Sequence, residues 1–402
     1  MLLVVTLFIF DFIFSFFHFL YRHFLSLGHS GLVLLLIAVV YTRRSFVYIL
    51  FTMFAGLSFF TSLLALTAAA PSARNLPYSI AKNTTDDFPL TNPSNIIAHD
   101  PNVLFENGYY YMFKGGVHVP YSRASHMSGP WTDMGAVLSD DSIIHQGKAN
   151  RTRPWAPTVI KRKGKFYCFY TLSGAGSQTS AIGVASTDDI ENPPWTDHGA
   201  LIRTGIGNGS DVFPFNQTNA IDASYIEDHE TGKPYLNWGS FWKNIWQVPL
   251  EDDLLSIKNP ENPDAVQLTY SPQPNAAKGG PEEGSWMSYR DGYYYTWFSD
   301  GICCEFEKGL PPLGNEYKIR VGRSENVRGP FYDHKNTSLL EGGGTVVYAS
   351  NHGEIYAPGG LGTLSGDSKT PDILYYHYLN VTTGFGFKVS SPQMKREDKR
   401  RE

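Results

Sequence analysis

Cysteine, net positive charge and helical periodicity are what this sequence has little of. Three cysteines occur in 402 residues, Cys168 and the adjacent pair Cys303-Cys304. None stands in a C-x-x-C or cysteine–histidine spacing, so a cysteine-based zinc site is excluded. Adjacent cysteines close a strained ring and disulfide geometry is specific, so the pair is expected to stay unbridged. Cohesion must then come from the core. Cys168 lies in the apolar run Phe166-Tyr-Cys-Phe-Tyr170, where a small buried residue is its simplest role. The 33 Lys and Arg against 38 Asp and Glu leave a net charge of -5, which offers nucleic acid no basic footprint. Beyond residue 75, apolar residues scarcely recur at helical spacing.

What the chain has instead is Tyr (24), Phe (26) and Trp (8), together with 38 Gly and 25 Pro. Strand-favouring aromatics bounded by turn formers indicate an all-β body. The length suffices for one large core or two modest domains.

Residues 1–70 belong to a different regime, almost continuously apolar and broken by Tyr21-Arg22-His23 and Arg43-Arg44. The run 53–70 ends in small residues, and Ala68-x-Ala70 satisfies the signal-peptidase rule before Pro71-Ser72 opens a polar segment. Met53 is then a candidate start for a secreted protein whose mature chain begins near Pro71. Residues 2–20 and 46–69 also approach the roughly 20 residues that a bilayer crossing needs, so a retained membrane anchor is the alternative. N-x-S/T sequons begin at Asn83, Asn150, Asn208, Asn216, Asn336 and Asn380, which favours a glycosylated exterior. Residues 71–94 read as a linker, 95–390 as the folded body and 391–402 as a charged, frayed tail.

The body repeats a phrase. Its first part is an aromatic strand: Gly108-Tyr-Tyr-Tyr-Met-Phe113, Gly164-Lys-Phe-Tyr-Cys-Phe-Tyr170, Lys233-Pro-Tyr-Leu-Asn-Trp-Gly-Ser240, Gly292-Tyr-Tyr-Tyr-Thr-Trp-Phe298 and Ile373-Leu-Tyr-Tyr-His-Tyr378. Its second part is a strand with small residues, as in Tyr121-Ser-Arg-Ala-Ser125, Gly183-Val-Ala-Ser186 and Val321-Gly-Arg-Ser324. One such sheet buries too little alone, and radial packing of neighbours supplies a common core. The pattern predicts a five-bladed β-propeller. A β-sandwich is the alternative and leaves the spaced repeats unexplained.

Three acids stand just ahead of aromatic strands: Asp100 in Ala-His-Asp-Pro, Asp222 in Asn-Ala-Ile-Asp-Ala-Ser, and Glu283 in Gly-Pro-Glu-Glu-Gly-Ser-Trp. In a radial arrangement equivalent positions converge. Convergent carboxyls among Trp and Tyr suit glycosidic cleavage, which needs an acid, a base and flat faces for sugar rings. Asp222 sits in an apolar stretch, where an unpaired carboxylate is costly. Glu282 and Glu283 are consecutive and point to opposite strand faces, so one of them reaches a common cavity. Trp155 in Arg-Pro-Trp-Ala-Pro is a loop anchor or a stacking platform. Trp238 and Asn219 are further candidate substrate contacts, although Trp238 suits a core position as well. His352, in Ser-Asn-His-Gly, is a solvated loop residue or a metal ligand.

The ordered set His99-Asp-Pro, Trp155-Ala-Pro, Ile221-Asp-Ala, Tyr235-Leu-Asn-Trp-Gly-Ser-Phe, Glu283-Gly-Ser and Cys303-Cys304 resembles glycoside hydrolase family 43, in particular its arabinanase branch. The resemblance spans about residues 95–390. It implies a five-bladed propeller that hydrolyses α-1,5-linked L-arabinan with inversion, Asp100 as general base and Glu283 as general acid. It further implies an ionised Asp222 that orients Glu283 and raises its pKa, and a calcium ion held with water by His352. Thr158 departs from the family's usual acid after Trp-Ala-Pro. Inversion leaves room for water between acid and base, roughly 6.5–9.5 Å. An exo-acting α-L-arabinofuranosidase or β-xylosidase, and a non-catalytic sugar-binding propeller, are the alternatives. The expected partner is a plant cell-wall polysaccharide, met by a monomer.

Overall fold

The computed structural model describes residues 88–89, 91–94, 96–272, 282–306, 309–312, 314–366 and 371–380, and the backbone alone of a few further strands. The chain divides into two compact units, Met1–Pro77 and Tyr78–Glu402. In the first, β1 (Leu3–Phe8), β2 (Leu34–Thr42), β3 (Ser45–Met53) and β4 (Leu64–Leu66) form one sheet. Among the described residues no helix is long and apolar enough to cross a membrane. Ala68-x-Ala70, Pro71, Asn83 and the tail 391–402 lie outside the described residues.

The second unit is all-β. Its antiparallel sheets follow chain order: β5 (Asn102–Glu106), β6 (Tyr109–Phe113), β7 (Pro120–Ala124) and β8 (Thr132–Ala136); then β9 (Trp155–Arg162), β10 (Lys165–Leu172), β11 (Ser180–Thr187) and β12 (Thr196–Thr204). Next come β13 (Ser224–Glu227), β14 (Pro234–Ser240), β15 (Asn244–Pro249) and β16 (Val266–Gln267), then β17 (Glu282–Arg290), β18 (Tyr293–Asp300), β19 (Lys318–Ser324) and β20 (Thr345–Tyr348). The last sheet has three strands, β21 (Ile355–Leu364), β22 (Ile373–Asn380) and β23 (Phe387–Ser390).

The first strands of these sheets stand in a ring. β5 packs on β9, β9 on β13, β13 on β17, β17 on β21, and β21 returns to β5. This is a β-propeller, with its first strands around the axis. Each predicted aromatic strand is the second strand of a sheet: β6, β10, β14, β18 and β22. These strands are covered on both faces, so they carry unbroken aromatic runs rather than an apolar–polar alternation. From Phe166 to Leu172 every residue of β10 is buried, Cys168 included.

Residues 88–94, expected as the end of a linker, are strapped to the body. The Tyr348 hydroxyl donates to the Pro89 carbonyl at 3.0 Å, Tyr376 to Thr91 Oγ1 at 3.1 Å, and Trp131 Nε1 to Ser94 Oγ at 2.8 Å. The sequon asparagines Asn150, Asn208, Asn216 and Asn336 are exposed, whereas Asn380 is buried and donates from Nδ2 to Glu354 Oε1 at 2.7 Å. Cys303 and Cys304 are bonded to each other, contrary to expectation. They lie in the connection after β18, where no ladder hydrogen bonds force adjacent side chains to opposite faces.

Candidate active site

A repeated backbone kink prepares the site. Asp100, Ala156, Asp222 and Gly284 have φ of 46°, 37°, 57° and 58° at or beside the starts of β5, β9, β13 and β17, and Gly360 on β21 has 54°. Asp enters this left-handed region more readily than most residues. Such strain persists where surrounding structure fixes it, and it concentrates at functional sites. These segments line one axial cavity of about 30 Å³, bounded by Asp100, Asn102, Thr158, Asp222, Gly284 and Gly360 among others. That is room for at least one water. Asn102 stitches the ring beside it, accepting from Val159 N–H at 2.9 Å and donating to the Tyr375 hydroxyl at 3.3 Å.

Asp100 lies between two imidazoles. Its N–H donates to His377 Nδ1 at 3.1 Å, and its carboxylate oxygens lie 3.4 Å from His377 Nδ1 and 3.6 Å from His99 Nδ1. Burial pushes its pKa up, but the charge of His99 and the adjacent His377 ring prevail, and the carboxyl is lowered to about 2. Asp100 is therefore held ionised.

Asp222 and Glu283 go the other way. Asp222 is pushed well above the usual range by burial and by the charges of Glu283 and Asp100, against an opposing bond from the Gly284 N–H at 3.1 Å. Burial also raises Glu283, and the Asp100 charge adds to it. The Ser240 and Tyr317 hydroxyls, on Oε2 and Oε1 of Glu283, act in the opposite direction. Desolvation beside two other carboxyls favours the protonated form of Asp222, where the resemblance implies an ionised one. One carboxyl poised to accept a proton beside others poised to hold one is an acid–base arrangement.

Three predicted residues are placed elsewhere. Trp238 is fully buried against Phe215, its Nε1 on Thr218 Oγ1 at 3.3 Å, and belongs to the core rather than to a substrate surface. Asn219 is 4% exposed and its Oδ1 accepts from Ser180 Oγ at 2.7 Å, so it braces the segment leading to Asp222. His352 Nε2 bonds the Phe88 carbonyl at 2.8 Å, at the strap. Trp155 is half-buried, and the residues after it line the cavity, as does Thr158 in the place where the family's acid was expected.

Sequence reasoning missed His377, Ser240 and Tyr317. His377 had a signal, as the one imidazole inside an aromatic strand. Tyr317 had none, because a loop delivers it. Among the described residues near the carboxyls, His99, Asp100 and His377 are the group whose donor atoms lie within 4.8 Å of one another, and His352 is not in it. Two imidazoles and one carboxylate do not match calcium, which takes a shell of oxygen ligands.

A family model, Glycosyl hydrolases family 43, matches residues 90–396. The chain is 54% identical over 302 residues to the probable arabinan endo-1,5-alpha-L-arabinosidase D of Emericella nidulans, covering 75% of this chain and 78% of that protein. It is 42% identical over 328 residues to arabinan endo-1,5-alpha-L-arabinosidase B of the same organism, covering 75% and 80%. Among solved structures, the native arabinanase of Bacillus subtilis aligns with a TM-score of 0.62 at 27% identity, covering 76% of this chain and 97% of its own. The family 43 endo-arabinanase of Bacillus licheniformis aligns with a TM-score of 0.61 at 28% identity, covering 76% and 96%.

Proposed function

The chain belongs to glycosyl hydrolase family 43, and on that premise we propose that it cleaves internal α-1,5 linkages of L-arabinan with inversion, on five blades. What carries the mechanism is that the Asp100 carboxyl, on the axial cavity, is pushed down while that of Glu283, next to the cavity-lining Gly284, is pushed up. Ionised Asp100 takes a proton from water as that water attacks the anomeric carbon. Protonated Glu283 gives its proton to the departing glycosidic oxygen. Asp222, fixed by the Gly284 N–H, stands beside Glu283, and whatever negative charge it carries favours the protonated, proton-donating form of Glu283. The five sheets and the ring of their first strands support the blade count. Secretion is part of the same proposal, supported by the small-residue run before Pro71 and the four exposed sequon asparagines.

The test is digestion of linear and branched arabinan, xylan and nitrophenyl glycosides, with sizing of products and NMR of the first-formed anomer. Mixed short oligomers of inverted configuration from linear arabinan are expected. Release of one product size from the chain end would assign exo action, and retained configuration would overturn the roles of Asp100 and Glu283.

A further inference from the structure

We infer that Tyr317 is a positioning residue for Glu283, carried to it by the β18–β19 connection, whose first turn is closed by the Cys303–Cys304 bridge. This rests on the reading of Glu283 as the proton donor. The Tyr317 hydroxyl sits on Glu283 Oε1 while Ser240 sits on Oε2, so both carboxyl oxygens are held from opposite sides. A carboxyl gripped in this way cannot swing about its terminal torsion, and its proton keeps one direction. The Tyr317 ring has no slack of its own. It is 4% exposed, stacks on His377 with centroids 6.3 Å apart, and touches Gly359, where any Cβ would strike it.

What sets the position of that ring is the base of the connection. Tyr317 N–H donates to the Ile302 carbonyl at 3.0 Å, and Ile302 N–H donates to the Asn315 carbonyl at 2.7 Å. Gly301, at φ 117°, lets the Glu316 carbonyl approach where a Cβ would collide. Glu316 is buried and accepts from Gly314 N–H at 2.7 Å and from Ser350 Oγ at 3.0 Å. The two limbs are thus clasped at Ile302, and the residue after Ile302 is the first half of the bridge. Linking adjacent side chains removes rotational freedom from that turn. Reduction by a dithiol breaks the S–S bond, places two electrons and two protons on Cys303 and Cys304, and converts the dithiol to its own disulfide. The clasp then loosens, and with it the aim of Tyr317.

The groups facing Glu283 are Asp100 and His99 at the start of β5, Asp222 before β13, Ser240 at the end of β14, Tyr317 beside β19 and His377 on β22. On the far face of β17 stand Glu282, Asp300, Lys318 and Arg320. A phenol donating to the carboxylate favours its charged form. Tyr317→Phe removes that bond and keeps the ring, so the titration midpoint of Glu283 should move up.

The experiment is carboxyl-carbon NMR titration of glutamate-labelled protein, with the Glu283 signal assigned by Glu283→Gln, alongside kcat and KM on linear arabinan. Tyr317→Phe should raise the Glu283 midpoint and lower kcat roughly ten- to a hundredfold, the scale of a hydrogen bond to an ionisable group, with KM within about twofold. Cys303→Ser/Cys304→Ser, and dithiothreitol-treated wild type, should move the midpoint in the same direction by less. An unmoved midpoint in Tyr317→Phe overturns the inference whatever the substrate is. An unmoved midpoint in the double variant and after reduction overturns the part played by the bridge. Arabinan left intact by a wild type whose midpoint responds as expected would instead sink the function proposed above.

Discussion

Glu282 and Glu283 are neighbours in the chain and look to opposite sides of β17. Glu283 turns to Ser240 and Tyr317, within the field of Asp100. Glu282 is fully buried, 3.9 Å from Arg320 Nη1 and close to Asp300, and burial foremost pushes its carboxyl up to about 8. Substituting Glu283→Gln keeps shape and removes the donated proton. Turnover of arabinan should fall roughly 10²–10⁴-fold while the fold and substrate binding persist, as circular dichroism and isothermal titration would register. Activity within threefold of wild type would sink the assignment. Glu282 carries a different expectation, in stability. Its folded pKa of about 8 stands above the ordinary 4.5, so the folded chain holds a proton that the unfolded chain releases. Its contribution is whole below pH 4.5 and is lost as pH rises towards 8, by at most about 1.4 kcal/mol per pH unit. Glu282→Gln should therefore flatten the fall of Tm between those limits and leave turnover nearly unchanged. The alternation rule made it legible that one of the two glutamates faces the cavity, but not which. That choice depends on which face of β17 the ring closes upon.

At the scale of elements, left-handed residues recur in the strands around the axis, and Gly360, within β21, is tightly confined. A Cβ there would strike Asp100 Oδ1 and the His377 ring together. Gly360→Ala should disturb Asp100, the proposed base, and His377 at once, costing about 1–3 kcal/mol in stability through overpacking and up to roughly 10²-fold in kcat through misplacement. Thermal melting and steady-state kinetics would measure both. A variant with wild-type kcat would mean that Asp100 has slack the packing does not suggest. The strands themselves were readable. Aromatic runs such as Tyr109–Phe113 and Tyr293–Phe298 reveal second strands because sheets buried on both faces favour such residues. The connections were not. Ser240 precedes Trp242, Lys243 and Asn244 at φ of 65°, 84° and 56°, and no local pattern announces three left-handed residues in succession. Tyr317 likewise meets Glu283 across 34 residues, and His377 meets Asp100 across 277. Such contacts follow from closure of the ring, not from neighbours in sequence.

The whole molecule has to close that ring, and the place where it does so is unusual. The last sheet presents three strands among the described residues, and β21 packs back on β5. Across this junction runs the 88–94 strap. Phe88 packs on the Tyr348 ring with centroids 5.5 Å apart, and its carbonyl meets His352. Pro89 and Thr91 take the Tyr348 and Tyr376 hydroxyls, while Ser94 bonds Trp131 and, through its own hydroxyl, the Met127 carbonyl at 2.8 Å. One short segment therefore joins the fourth and fifth sheets to the first. A chain beginning at Pro71 retains the strap and every residue assigned to the site, and should match the full chain in kcat and Tm. A chain beginning at Ile96 loses at least the five hydrogen bonds just named, worth about 1 kcal/mol each, together with the Phe88 contact. Its Tm should fall by about 10 °C, with 2 °C or slightly more per kcal/mol for a body of this size. Activity at low temperature should survive, because no described strap residue touches one of the proposed catalytic carboxyls. Calorimetry of the two shortened chains beside the full one decides the matter. Equal Tm values would show that the inner strands alone hold the ring shut and that the strap merely lies upon it.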